Sequence, residues 1–513
     1  MVMTAGLPPY PGTGPLVPLA MAILFWCLVQ SERPGRTAWY FGLAHQASNL
    51  SWLFLLDPSK NIPTPLLVPL QAMVAIGYVS VFYLLLGWAH GKVRARFGAV
   101  RSLLVLPTLW VAMEALRSRG ELGFPWCLSG SSIIGGPLFG LARASGEIGV
   151  GAGLAFFAAL LAGLMLQRKK TEGPFAGRAV VVLAAGAIVV GGLLYVGSQA
   201  QPPAPASHLA LADSLGVVER PVPVAAIQGN VALTVKWNKA FIDSTKIPHE
   251  ELSRQAGKEG AELIVWPETA VPAYVLYDAE LLQWLRETVI SSGAWVYTGF
   301  PGANRSAEGK VRTYNSSGLF DPKGARRDRY AKHHLLPIGE YMPFQSIFPF
   351  LANIDVGQAE WTAGQPPMPM NVDLADGSFR ISSMICFESA FGKLARDSVR
   401  RGSQCLVVIT NDGWFGESAG PKQHAWLARL RAVECGVPVI RSANNGISFI
   451  ADKNGNVLDS LGLGRRGIVR AEITPGAGRT LYVKWGAWPV AIWIVAWLLF
   501  VLLGPVESRP HES

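Results

Sequence analysis

The stretch AVVVLAAGAIVVGGLLYVG (179–197) carries no charged residue, and GAWPVAIWIVAWLLFVLLG (486–504) repeats that character near the other end of the chain. Each is close to the ~20 residues a helix needs to cross a hydrocarbon core. Further candidate spans lie at 15–30, 38–56, 66–90, 102–117 and 146–167. Composition agrees: half the residues are hydrophobic, 16% are charged and the mean hydropathy is +0.29, which is too apolar for an ordinary soluble protein. The first span is short and MVMTAGLPPY before it has no basic residue, which argues against a cleavable signal peptide.

A net charge of +10 raises the question of nucleic acid, but the location of the charge answers it. SERPGR (31–36), GKVRAR (91–96) and QRKK (167–170) are basic and occupy alternate loops between spans, so they face the cytoplasm. The loops 57–65 and 118–145 then face outside, as does the long stretch 202–485, with the C-terminal tail inside. This parity leaves residue 1 outside as well. Glu114 stands one turn before Arg117, which reads as an i,i+3 ion pair or as a buried functional carboxylate; the ion pair is the plainer reading. GFPWCLSGSS (123–132) reads as an interfacial aromatic anchor or as the lining of a lipid-facing cleft.

QPPAPAS (201–207) is a Pro/Ala linker. Beyond it, short β-branched runs end in polar clusters at 222–230, 261–268, 294–301, 379–388, 405–412 and 437–445, with helical patterns at 278–291 and 421–435. Near-continuous apolar strands followed by helices indicate an α/β domain with buried sheets. ISFIADKNGNVLDS (447–460) adds a hairpin turning at Asn454-Gly455.

The ends of these strands are unusually polar. One ends in Glu268, another in Cys386 and Glu388, a third in Asn411 and Asp412, and YAKHHLLPIGEYMPF (330–344) between them carries Lys332 and Glu340. A thiol, a carboxylate and a lysine suit covalent acyl transfer: the thiolate attacks, the carboxylate moves the proton, and the ammonium steadies the oxyanion. Singly, each has a plainer reading. A lone Cys after an apolar run is usually a small buried hydrophobe, and Cys405 and Cys435 are assigned that way. Glu268 reads equally as a turn cap and Lys332 as a solvated lysine; only the combination is hard to produce by accident. His424, with His333 and His334 behind it, offers a rival Cys-His-Asn constellation, although no spacing ties it to Cys386. The five cysteines show no CxxC spacing, and no cluster has metal-ligand spacing, so neither a metal nor a disulfide scaffold is expected.

WPETAVP (266–272), the lysine segment 332–341, ICFE (385–388) and TNDGWFG (410–416) together resemble the nitrilase, or carbon–nitrogen hydrolase, superfamily. With several spans before the domain and one after, the chain is similar to the membrane-bound branch that acylates bacterial lipoproteins. The resemblance covers nearly the whole chain. It implies a multi-span α-helical membrane domain (1–200, about six spans), an extracytoplasmic αββα sandwich (201–485), and a C-terminal transmembrane helix and tail (486–513). It also implies Glu268 as general base, Lys332 as oxyanion lysine and Cys386 as the nucleophile that becomes a thioester. Glu340, Glu388 and Asn315 match supporting positions; Trp237, Phe387, Trp414, Phe344 and Phe348 match or flank substrate-facing ones. GFPW (123–126) and RSANNG (441–446) fit as well. Two departures stand out: Phe387 occupies a position where many relatives carry Tyr, and seven spans are visible where eight are usual.

The reaction implied is ping-pong. Cys386 takes an acyl chain from a phospholipid, typically the sn-1 chain of phosphatidylethanolamine, and the α-amine of a diacylglyceryl-cysteine apolipoprotein then attacks the thioester. No cofactor is expected, and the enzyme is expected in the bacterial inner membrane with its catalytic domain on the periplasmic side. Independently of the family, a domain tethered at both ends keeps its mouth near the bilayer, and the apolar segment FQSIFPFLANI (344–354) reads as a lid that dips into lipid and excludes water. The alternatives are a membrane-anchored amidase with the same triad and water as acceptor, and a catalytically dead transporter or scaffold. The apolar lid and large membrane half argue against the first. The intact triad, and the lack of repeats and of intramembrane charges, argue against the second.

Overall fold

The apolar windows at the N-terminal end form helices, as the absence of water requires of any spanning segment. The computed structural model describes the chain except residues 57–66, 169–172, 206–217, 219, 233–241, 306–308, 310, 346, 351–360 and 504–513. The chain divides into two compact units, the first comprising 1–51, 73–200 and 485–513, the second 52–72 and 201–484.

The principal helices of the first unit are Leu16–Gln30, Pro34–Asn49, Leu67–Arg117 from residue 73 onward, Ala142–Arg168, Gly173–Gln199 and Trp488–Leu503. Among the described residues, three helices are long and apolar enough to cross a membrane: Val68–Arg117, Phe139–Gln167 and Gly177–Gln199. The windows 66–90 and 102–117 fall on one helical run, interrupted at Gly98, whose φ of 81° only glycine adopts cheaply. The window 38–56 is helical only to Asn49, after which the chain tightens into a 3₁₀ turn, Ser51–Leu55. Glu114 does not act as a surface ion pair. It is buried and accepts from the Ser129 backbone N–H (2.7 Å) and hydroxyl (3.0 Å), tying the GFPWCLSGSS loop to its helix. The Trp110 indole donates to the same hydroxyl, and Trp497 packs edge-on against Phe156 at 4.9 Å while donating to the Leu104 carbonyl.

The second unit contains, among the described residues, two six-stranded sheets. The first runs β12-β1-β2-β3-β4-β5 and the second β11-β10-β9-β8-β7-β6. The strands are β1 Val222–Gln228, β2 Leu263–Val265, β3 Trp295–Arg305, β4 Val311–Phe320, β5 Arg326–Ala331, β6 Met370–Leu374, β7 Gly377–Ile385, β8 Cys405–Thr410, β9 Val439–Ala443, β10 Ser448–Ala451, β11 Val457–Leu461 and β12 Gly467–Ile473. Each sheet has a parallel centre, β1-β2-β3 or β7-β8-β9, extended by antiparallel strands. The central strands are apolar on both faces because both faces are covered. Val224, Val265 and Tyr297 meet Ile381, Val407 and Ile440 between the sheets. Ala256 and Leu285, from helices Ile242–Lys258 and Ala279–Ser292, cover the first sheet outside. Ala395 and Ala428, from helices Gly392–Arg400 and Ala419–Cys435, cover the second. The result is an αββα sandwich. The hairpin β10–β11 forms as the sequence indicates, with Gly455 at φ 76°. Cys405 and Cys435 are fully buried packing residues, and all five cysteines are free.

Candidate active site

Parallel strands carry their chemistry at their carboxyl ends, where side chains leave the sheet together. Glu268 follows β2, Lys332 follows β5 directly and Cys386 follows β7 directly. The backbone at this end is strained: Cys386 has φ 53°, Thr269 next to Glu268 has φ 45°, and Ile338 in the Glu340 turn has φ 66°. Such conformations cost about 1–3 kcal/mol each and persist where surrounding structure over-determines them. Gly299 on β3 allows the Glu268 loop its approach, since a Cβ there would lie 2.9 Å from the Glu268 Cα.

Hydrogen bonds join these groups. Asn315 on β4 donates through Nδ2 to Glu268 Oε1 (2.7 Å) and Glu340 Oε1 (3.2 Å). The Asn411 N–H donates to Glu268 Oε2 at 2.9 Å. Lys332 Nζ sits 2.9 and 2.8 Å from the two Glu340 oxygens, and the Leu336 N–H donates to the same carboxylate at 2.8 Å. Lys332, Glu340, Glu268 and Asn315 are all buried. Burial alone would push the Lys332 ammonium down, but Glu340, then Cys386 and Glu268, outweigh it and hold it well above the ordinary lysine range. Burial, reinforced by the Glu268 charge and only partly opposed by Lys332, pushes the Cys386 thiol up to about 12.

Glu388 is a structural hub. Fully buried, it accepts from the Tyr330 hydroxyl (2.7 Å) and from the His333 (2.8 Å), His334 (2.9 Å) and Ile385 (2.7 Å) N–H groups. It thereby locks the segment after β5 to the end of β7. Burial raises its carboxyl, against the pull of these donors.

The carbon–nitrogen hydrolase family matches residues 224–481, and the apolipoprotein N-acyltransferase N-terminal domain matches residues 1–160. An apolipoprotein N-acyltransferase from Azotobacter vinelandii is 32% identical, over 94% of this chain and 90% of its own. The enzyme of that name from Pseudomonas aeruginosa strain PAO1 is 31% identical, over 97% and 93%. The chain belongs to the apolipoprotein N-acyltransferase family. Among solved structures, an amidase of the nitrilase superfamily from Nesterenkonia AN1 is 18% identical with a TM-score of 0.39, covering 57% of this chain and 98% of its own.

The remaining positions expected from this N-acyltransferase family are distributed unevenly. Trp414 is half-buried in the turn Asp412–Phe415 after β8. Phe387 is buried, its ring edge-on to Phe391 at 5.2 Å and 6.3 Å from the His334 ring. Phe344, Ile347, Phe348 and Phe350 are exposed apolar side chains. Trp237 and residues 346 and 351–354 of the expected lid lie outside the described residues.

Two sets of contacts have no spacing in the sequence that would reveal them. One is made by Trp52, which belongs to the second unit: its indole donates to Gln423 Oε1 (3.0 Å) and its ring stands edge-on to Phe415 at 4.9 Å. The other is made by the groups behind Cys386, described below.

A thiol with so high a pKa stays protonated near neutrality. Iodoacetamide alkylation of Cys386 is expected to climb steadily from about pH 7 to about pH 10, followed by peptide mass spectrometry. A plateau already reached near about pH 7 would mean a preformed thiolate instead.

Proposed function

We propose that this protein transfers an acyl chain from a membrane phospholipid to the N-terminal amine of a diacylglyceryl-cysteine apolipoprotein. The observation that carries the reading is the meeting of the Cys386 thiol with Glu268 and Lys332, which the hydrogen bonds of Asn315 and Glu340 hold in one site. In a family whose relatives are named for this activity, that pairing is what acyl transfer through sulfur needs.

Both Glu268 oxygens accept from N–H donors, which favours the ionised carboxylate. As Cys386 Sγ attacks the ester carbonyl, Glu268 takes the thiol proton, so no free thiolate forms in a site that disfavours one. The oxyanion develops against the Lys332 ammonium, which Glu340 holds charged and in place. Collapse breaks the C–O bond. The proton on Glu268 passes to the departing oxygen, leaving an S-acyl Cys386 and a lysophospholipid. The α-amine of the diacylated peptide then attacks the thioester, Glu268 accepts the amine proton, and the sulfur leaves and is reprotonated. Every atom returns to its starting state, so no cofactor enters.

In this reading Glu340 and Asn315 orient the charged groups, and Glu388 fixes the backbone on which Lys332 and Cys386 stand. Phe387 walls the site behind the nucleophile. Trp237, Trp414, Phe344 and Phe348 meet substrate, with 344–354 as a lipid-dipping lid. Residues 1–200 form the membrane domain, 201–485 the catalytic domain on the periplasmic face of the inner membrane, and 486–513 the final span and tail. Phosphatidylethanolamine is the expected donor.

The test is intact-mass measurement after incubation with phosphatidylethanolamine, then a chase with a diacylated lipopeptide or with buffer alone. One acyl mass, hydroxylamine-labile and mapped to Cys386, should move to the peptide and persist in buffer. Rapid loss to water would make the protein an amidase-like hydrolase, and label only on Cys405 or Cys435 would defeat the nucleophile assignment.

A further inference from the structure

His424 sits directly behind Cys386, and the reaction above makes no use of it. It lies on helix Ala419–Cys435, 1% exposed, and both its ring nitrogens are engaged. Nε2 is 2.9 Å from the Cys386 carbonyl oxygen and 3.0 Å from Ser389 Oγ. Ser389 in turn donates to the same carbonyl at 3.0 Å. Nδ1 is 3.0 Å from Asp412 Oδ1 and 3.2 Å from Arg441 Nη2. His424 therefore addresses the backbone of the cysteine, whereas the rival reading of it as a base needs a ring nitrogen free for the sulfur.

The ring is held by a buried charge pair. Arg441 on β9 donates to Asp412 Oδ2 at 2.7 Å, and neither side chain is exposed. Burial would raise the Asp412 carboxyl, but Arg441 and then His424 overcome it and bring it down to about 2. Thr410 also donates to Asp412 Oδ1 at 2.9 Å, and its hydroxyl lies near enough to the Cys386 sulfur to pull against the rise of the thiol. Gly446 makes room for the pair, because a Cβ there would meet Asp412 Oδ2 at 2.1 Å.

Two of the ring's three protonation states place a donor on the Cys386 carbonyl. If the ring is neutral with its proton on Nε2, Nδ1 accepts from Arg441; if it is an imidazolium, Nδ1–H donates to Asp412. Both states keep Nε2–H on the Cys386 carbonyl. With a proton on Nδ1 alone, Nδ1–H donates to Asp412 and Nε2 accepts from Ser389 Oγ instead, so the grip on the carbonyl requires Nε2–H.

We propose that His424, with Ser389, is a positioning residue that pins the Cys386–Phe387 peptide plane and so sets the direction in which the thiol attacks. Cys386 has φ 53°, a conformation a non-glycine residue leaves readily unless it is held. The peptide unit is planar, so fixing its carbonyl also fixes the Phe387 N–H on the opposite side. Asp412 stands at the hub: it orients His424 against the carbonyl on one side and Thr410 near the sulfur on the other. This inference rests on Cys386 being the acyl acceptor.

The test measures single-turnover acylation of Cys386 in the full-length protein by intact mass, over a range of phosphatidylethanolamine in mixed micelles, at temperatures where melting curves show each variant folded. His424→Gln keeps an amide donor near the Nε2 position; His424→Asn does not reach it. His424→Asn should acylate about 10²-fold more slowly at saturating lipid with half-saturation unchanged, as a misaimed nucleophile does, and His424→Gln should recover most of the rate. Ser389→Ala should slow acylation about tenfold, again without a change in half-saturation. A wild-type rate in His424→Asn or in Ser389→Ala, or a His424→Gln rate as low as that of His424→Asn, overturns the proposal. If wild-type protein never carries acyl on Cys386, it is the functional reading that fails.

Discussion

Cys386→Ser is expected to abolish the acyl-enzyme and to lower acyl transfer by on the order of 10⁴-fold or more, the scale seen when a covalent catalyst loses its nucleophile. The reason lies in the proton. Serine replaces a thiol already pushed up to about 12 by burial and Glu268 with an alcohol that ionises far less readily in the same surroundings. Glu268 would then have to draw a proton from a much weaker acid, and the smaller oxygen stands farther from the carbonyl that sulfur reaches. The substitution is nearly isosteric and removes no buried hydrogen-bond partner from Glu268 or Lys332, both of which are satisfied by Asn315, Asn411 and Glu340. Its melting temperature should therefore stay close to the parent's. Turnover near the wild-type rate in a Cys386→Ser protein that melts normally would remove Cys386 from the reaction.

The strand ends were the legible part of this molecule. Apolar runs closing on Glu268, Cys386 and Asn411-Asp412 mark where β2, β7 and β8 leave the sheets, because both-face burial writes itself as a continuous hydrophobic run. Helix Ala279–Ser292 was equally visible, starting at an Asp278 cap and ending at Gly293 in a left-handed conformation. The two edge strands of the first sheet were not. β5 reads RRDRYA with its first four residues exposed, so it has no apolar signature, and it is a strand only because β4 pairs with it. β12 pairs antiparallel with β1 across some 240 residues of chain, a contact that no local period encodes. The same holds at the site. The lysine and two carboxylates stood out by residue type, whereas Asn315 sits in a plain polar strand, and Trp52 and His424 reach their partners from distant segments. Long-range pairing of this kind leaves no spacing to read.

Glu268→Gln is the second large effect, and its pH dependence separates a lost base from a damaged fold. Removing a general base costs on the order of 10²–10⁴-fold in the step it assists. The amide also brings an NH₂ to a place where the carboxylate accepted from both Asn315 Nδ2 and the Asn411 N–H. One donor would be left facing another, a penalty of about 1–3 kcal/mol. Asn315 can relieve part of it: its buried Oδ1 has no partner among the described residues, and turning the amide offers an acceptor to the new NH₂ at the cost of the bond to Glu340 Oε1. The fold should survive with a modest drop in melting temperature. Catalysis should change character. Without Glu268 the proton must leave to solvent, so single-turnover acylation of Cys386 should rise with pH as the thiolate fraction grows. Glu268 is itself the second cause of the raised thiol pKa, after burial, so its removal lets the thiol ionise below about 12. Residual Glu268→Gln activity is thus expected to climb through the alkaline range, to level off there, and never to match the parent near neutrality. A Glu268→Gln enzyme with the parent's rate and pH profile would mean that the proton goes elsewhere, and that this carboxylate only holds Asn315 and the β8 end in place.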